Sequence, residues 1–256
     1  MDINTKMLLG RFSDDKNFDM YNEPYLGPEA NKGMAIFMNV GECNLRCKFC
    51  FFHNLPYKNT ANMTKEAIYA DMVAKQIELK TLDVDAVLFG GTECTQNNDV
   101  LDMARTIKPT GIPIHLHTNG TNPVLLETMF NEDLIQFIAM DIKAPKKKYN
   151  MVAGTNVDIT AIEGSISLIT RNAPEYKFRT VICRELLDKD DIIDIGKWLD
   201  GADYYELKGY WDSPRGRNYK NLTAYTHEEM VEMQEAVKPY FGKVTLLEGR
   251  RGVGGS

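Results

Sequence analysis

Three of the chain's five cysteines fall within eight residues, inside the stretch GECNLRCKFC from Gly41 to Cys50. Cys43, Cys47 and Cys50 are spaced C-x3-C-x2-C, and only Cys94 and Cys183 lie elsewhere. An odd number of cysteines, three of them too close to pair, argues against a disulfide framework. Three readings of the triplet remain open: small buried residues gathered by chance, a zinc site completed by His53, or an iron–sulfur cluster held at three corners.

Further residues able to do chemistry follow at intervals along the chain. They are Gly90-Gly91-Thr92-Glu93, then His117-Thr118-Asn119-Gly120, then Asp141 and Lys143. Singly, each has an ordinary explanation: a strand-end turn, an Asn-Gly turn, a surface ion pair. Their shared placement is more telling, because each group closes a short apolar run that reads as a strand. The runs are MAIFMNV (34–40), AVLFGG (86–91), PIHLHTNG (113–120) and QFIAMDIKA (136–144), with YKFRTVIC (176–183) and ADYYELKGY (202–210) after them. KVTLLEG (243–249) reads as a last strand.

Helical periodicity fills the gaps. Ile68, Met72 and Leu79 share a face over 64–80, and Ile192, Ile195 and Leu199 over 189–200, where Asp188 is the expected N-cap. Thr226 and Glu229 form a capping-box pattern ahead of Met230, Met233 and Val237. Six β-then-α units predict parallel strands joined by helical crossovers. That is too few for a closed eight-stranded barrel, so an open partial barrel or a doubly wound sheet is expected. In either, ligands gather at the C-terminal strand ends, where these clusters sit.

With those residues in view, the chain resembles the radical S-adenosylmethionine (SAM) superfamily. CNLRCKFC resembles its signature loop after the first strand, Gly90-Gly91-Thr92-Glu93 its GGE motif with a threonine before the glutamate, and Thr118-Asn119-Gly120 its TNG element. Asp141-Ile142-Lys143 resembles the D-x-K motif of glycyl-radical-enzyme activases, and Arg179 matches a basic position on their fifth strand. The resemblance covers roughly residues 27–210 of one radical SAM domain spanning 1–256, with a C-terminal helix and strand over 226–249. It implies an α/β fold, a partial (β/α)6 TIM-like barrel open on one side.

It also implies that Cys43, Cys47 and Cys50 bind three irons of a [4Fe–4S] cluster, leaving the fourth for SAM. Gly90, Gly91, Glu93, Thr118, Asn119, Asp141 and Lys143 would bind SAM. The activity implied is reductive cleavage of SAM to a 5′-deoxyadenosyl radical, which takes a hydrogen atom from a glycine of a partner. The members it most resembles are the ribonucleotide-reductase and pyruvate formate-lyase activases. The partner expected is therefore a glycyl-radical enzyme, an anaerobic ribonucleotide reductase, with a flavodoxin- or ferredoxin-type reductant. The alternatives are a radical SAM enzyme acting on a small molecule, peptide or tRNA, and a zinc-binding interaction module.

The bulk composition is compatible with this. Hydrophobic residues make up 43 % and charged residues 26 % of the 256, as in ordinary globular chains. The net charge of −6 argues against nucleic-acid binding. No apolar run approaches membrane-spanning length, and the N-terminal stretch is too polar for a signal peptide, so a cytoplasmic location is expected. APKKKYN (144–150) is a basic patch, either a solvated loop or a docking surface for an acidic partner. His115 and His117 alternate on one strand and could face the interior, while Cys94 and Cys183 are expected to be structural.

Overall fold

The computed structural model describes residues 35–39, 43–50, 74, 86–210 and 221–248. Its centre is a sheet of seven parallel strands in sequence order: β1 (Ala35–Asn39), β2 (Ala86–Gly90), β3 (Ile114–Thr118), β4 (Phe137–Asp141), β5 (Glu175–Ile182), β6 (Ala202–Gly209) and β7 (Phe241–Leu247). Every neighbouring pair is parallel, and β1 and β7 do not pair with each other among the described residues, so the sheet is open. The six β-then-α units of the sequence are thus joined by a seventh strand in the same sheet, formed by the last apolar run.

Helices occupy the crossovers: α1 (Asp99–Ile107), α2 (Pro123–Asn131), α3 (Tyr149–Ala153), α4 (Ile159–Asn172), α5 (Lys189–Trp198) and α6 (His227–Val237). Helix α1 buries Val100, Met103, Ala104 and Ile107, the i, i+3, i+4, i+7 pattern of an amphipathic helix. The expected caps are realised. Asp188 accepts from the Asp191 amide at the head of α5, and Thr226 and Glu229 close a reciprocal capping box on α6. Helix α5 ends at Trp198, two residues short of the expected span. The helix expected over 64–80 lies outside the described residues except for Ala74, which is helical.

Side chains alternate across a strand, and the two faces of this sheet differ in kind. Val87, Phe89, Ile114, Leu116, Ile138, Met140, Phe178, Tyr205 and Leu207 join the helices in one hydrophobic core. The opposite face carries His115, His117, Asp141, Lys177, Arg179 and Glu206. A face so rich in charge cannot pack against an apolar helix layer without a large desolvation cost. It therefore lines the concave side, below the C-terminal strand ends.

Candidate functional site at the C-terminal strand ends

The cysteine loop, residues 43–50, has no regular structure and is held by a few bonds. Leu45 is buried and anchors it, and its amide donates to Cys43 Sγ at 3.4 Å. The Cys50 amide donates to the Cys47 carbonyl at 3.0 Å, and the Arg46 guanidinium donates to the carbonyls of Cys43 and Leu45. Cys47 is buried and Cys43 and Cys50 are half-buried. Burial pushes the Cys43 thiol up and the Cys47 thiol to about 11, with neighbouring Lys143 pulling both the other way. Among the described residues no three His, Cys, Asp or Glu side chains converge as ligands of a single ion. Ligands to three separate corners of a cube need not converge in that way. His53, the ligand expected in the zinc reading, lies outside the described residues.

The glycine pair closes β2, with Gly91 in the left-handed region at φ 95°. Glu93, just beyond, is turned inward and buried. Its Oε1 accepts from the Thr95 amide (3.1 Å), the Thr95 hydroxyl (2.6 Å) and the Thr118 hydroxyl (2.7 Å), and Oε2 accepts from the Asn119 amide. Three donors crowd Oε1 and one reaches Oε2, so of the two lone pairs on Oε2 one is taken. Burial raises the Glu93 pKa, with the four donors acting against that rise. The carboxylate thus fastens the end of β2 to the end of β3. From there the network continues outward: Asn119 Nδ2 donates to Asn44 Oδ1 (2.9 Å) and lies 4.0 Å from Cys43 Sγ, and Asn44 Nδ2 donates to the Thr121 hydroxyl (3.0 Å). Thr118 and Asn119 are in this way joined to the cysteine loop through Asn44.

Asp141, at the end of β4, holds two cations. Its Oδ1 accepts from Arg179 Nε at 2.6 Å and its Oδ2 from Lys143 Nζ at 2.8 Å. Burial disfavours the Asp141 charge, but the two cations outweigh it and keep the pKa below the carboxylate range. Burial likewise opposes the Lys143 charge, and Asp141 and then Cys47 overcome it and raise its pKa. The Lys143 ammonium also lies 5.8 Å from the centre of the Phe49 ring, on the cysteine loop. The sequence-expected residues at the ends of β1, β2, β3 and β4 are therefore joined by two chains of contacts, one through Glu93 and Asn119, the other through Asp141 and Lys143.

Burial keeps His117 well below its usual pKa, helped by Arg179 and Lys177, and lowers His115 to about 4. Cys94 and Cys183 are fully buried, Cys94 with its thiol against the His117 carbonyl at 3.4 Å. The lysines of the basic patch are paired within the chain: Lys146 with Glu163, Lys147 with Asp194 and Lys148 with Asp191. These pairs tie the patch to α4 and α5. Asn44, Thr95, Thr121 and the Ala153–Gly154 corner were not legible as site residues. The one local signal among them is the glycine that ends α3.

The sequence profile described as the radical SAM superfamily matches residues 40–194, more than half of the chain. This chain belongs to that superfamily. Among similar proteins is one from Methanocaldococcus jannaschii named as a glycyl-radical enzyme activating enzyme, 28 % identical over 84 % of this chain and 89 % of its own length. Another, from Pyrococcus horikoshii, is named as a GTP 3′,8-cyclase and is 29 % identical over 60 % of this chain and 48 % of its own. Among solved structures, a radical SAM methyltransferase from Sphaerobacter thermophilus shares the fold, with a TM-score of 0.67 at 12 % identity, covering 85 % of this chain and 67 % of that one. Among the described residues no helix is long and apolar enough to cross a membrane.

Proposed function

We propose that this radical SAM enzyme activates a glycyl-radical partner, an anaerobic ribonucleotide reductase, by taking one hydrogen atom from a backbone glycine. The observation that carries the activase part of this reading is the match, over 84 % of the chain, to a relative named as a glycyl-radical enzyme activating enzyme. The cofactors of the superfamily are a [4Fe–4S] cluster and SAM. When bound together and reduced, they supply a carbon-centred radical able to abstract that hydrogen atom.

The donor set suits those groups. Cys43, Cys47 and Cys50 offer three thiols from one loop, and Cys94 is turned away into the sheet, so a fourth corner would stay open for SAM. Because burial favours the protonated Cys43 and Cys47 thiols, loading must displace protons from these two. Lys143 would meet the SAM carboxylate, with Asp141 and Arg179 keeping its ammonium in place. Gly90 and Gly91 would let the backbone approach SAM closely, and Thr118 and Asn119 would border it. Glu93 would hold the β2 and β3 ends together, and its Oε2, which accepts from the Asn119 amide, keeps a second acceptor site for the SAM amino group. We further propose that residues 1–256 work as one radical SAM unit in the cytoplasm, with a flavodoxin- or ferredoxin-type electron donor.

A second reading, a small-molecule substrate, draws on the concave face. There Lys177 and Glu206 form a buried pair at 2.7 Å, and Glu206 Oε1 takes no hydrogen bond among the described residues. A buried acceptor left open is suited to a ligand's donor. The test is anaerobic: reconstitute with iron and sulfide, reduce, add SAM and the reductase, then record the electron paramagnetic resonance spectrum and quantify 5′-deoxyadenosine. A glycyl-radical doublet with matching deoxyadenosine is expected. Deoxyadenosine without the doublet would favour the small molecule. Substituting alanine for Cys43, Cys47 or Cys50 should reduce SAM cleavage to background, and full cleavage by any of them would defeat the assignment.

A further inference from the structure

We propose that the Ala153–Gly154 corner at the end of α3 is the receptor for the cysteine loop, and that Gly154 is a positioning residue for the cluster. This rests on the reading of Cys43, Cys47 and Cys50 as cluster ligands. An eight-residue loop without secondary structure cannot fix three thiols by itself. Its own bonds are short-range, and its middle residue, Arg46, is exposed.

Beside the side-chain bonds of Asn44 to Asn119 and Thr121, a backbone contact comes from about a hundred residues away in the sequence. The Arg46 amide donates to the Ala153 carbonyl at 2.8 Å, the one backbone–backbone bond between the loop and another element among the described residues. Directly beside it, Gly154 closes α3 in the left-handed region at φ 69°, its amide donating to the Asn150 carbonyl at 3.0 Å. A Cβ added at Gly154 would stand 2.2 Å from the Arg46 carbonyl oxygen and 2.7 Å from its carbon, both backbone atoms of the loop. Arg46 is the residue before Cys47, so a side chain at Gly154 must push on the peptide bond that leads into the buried thiol.

The corner itself is firm. Val152 and Ala153 are buried, Tyr149 packs edge-on to Trp198 at 6.1 Å, and the Asn150 carbonyl side chain accepts from the Val157 amide at 2.9 Å. Lys148 ties the head of α3 to Asp191 of α5. The loop is the softer of the two surfaces, so a clash displaces the loop rather than the corner.

Two other glycines provide controls for backbone strain. Gly111 (φ 75°) and Gly201 (φ 87°) are also left-handed, lie at the opposite end of the sheet before β3 and β6, and have nothing within 4 Å of an added Cβ. Gly154→Ala, Gly111→Ala and Gly201→Ala therefore share the left-handed cost of an alanine, and only the first meets the cysteine loop.

The experiment labels the reduced, cluster-free full chain with iodoacetamide and measures the rate at Cys47 by peptide mass spectrometry. We expect Gly154→Ala to raise that rate by roughly tenfold, through easier local opening, with both controls at the wild-type rate. After reconstitution, its iron should be lost to a chelator about tenfold faster than from the controls. Arg46→Pro loses both the amide donor and the guanidinium bonds to Cys43 and Leu45, whereas Arg46→Ala loses only the guanidinium; faster Cys47 labelling in Arg46→Pro than in Arg46→Ala is expected, and that comparison decides the matter if Gly154→Ala does not fold. Labelling of Cys47 at control rates in the folded variants would overturn the proposal. A wild-type chain that takes up no iron would instead overturn the cluster reading, while the labelling comparison still tests the docking.

Discussion

Replacing Asp141 with asparagine keeps the shape of the side chain and removes one negative charge between two buried cations. The Lys143 and Arg179 side chains are 10 % and 9 % exposed, so neither can recover its hydration when its partner is neutralised. Breaking a buried ion pair by removing one partner costs about 3–5 kcal/mol. Asp141 is itself 23 % exposed, and asparagine keeps one acceptor oxygen, so the loss falls at or below the bottom of that range, at about 2–3 kcal/mol. For a chain of this size that lowers the thermal midpoint by about 4–12 °C. The pH dependence has a definite sign. Asp141 is depressed in the folded state, so its contribution is complete above the unfolded value of about 3.9 and is lost as pH falls below it. Denaturant titrations of the cluster-free proteins at several pH values measure both effects. The gap between wild type and Asp141→Asn should be constant from pH 7 to about 5 and narrow only below about 4. A gap under about 0.5 kcal/mol at pH 7, or one that closes above pH 5, would refute the reasoning.

Other outcomes can be stated more briefly. Glu93→Gln must turn an amide NH2 toward at least one of the donors it now accepts from. It should lower stability by about 2 kcal/mol in the cluster-free chain, seen as a shift in denaturant midpoint; an unchanged midpoint would mean the carboxylate does not fasten the two strand ends. Asp188→Ala removes the side-chain acceptor at the head of α5 and should cost about 1 kcal/mol, with no change in cluster content measured by absorbance. Lys147→Ala touches only exposed pairing, apart from a longer approach to Asp191, and should change stability by less than about 1 kcal/mol. A loss several times larger would make the lysine loop a structural staple in its own right.

Much of this molecule could be read from short windows of sequence, because the signals involved are local. AVLFG becomes β2 with all five residues buried, as a short apolar run that ends in a glycine turn should. Asp188 and Thr226 cap their helices because a cap bonds only two or three residues ahead. The C-x3-C-x2-C spacing puts three thiols on one loop whatever surrounds it. The alternation of His115 and His117 likewise puts both on one face of β3.

What the tertiary structure decided are the pairings between residues distant in the chain. Glu93 reads as an expected SAM-binding residue after a glycine turn, and only the fold shows that Thr118 and Asn119, twenty-five and twenty-six residues on, donate to its carboxylate from inside. Lys146, Lys147 and Lys148 read as a basic patch, and acids on α4 and α5 pair with them. Asp141 and Lys143 could have been an isolated surface pair, until β5 set Arg179 beside Asp141 by strand register. Gly154 marks a helix end in the sequence, and only the fold brings Arg46 onto it. Periodicity and capping act over a few residues, and sequence displays them. Charge compensation and backbone docking act through space, so they are settled only when the parallel strands align their C-terminal ends.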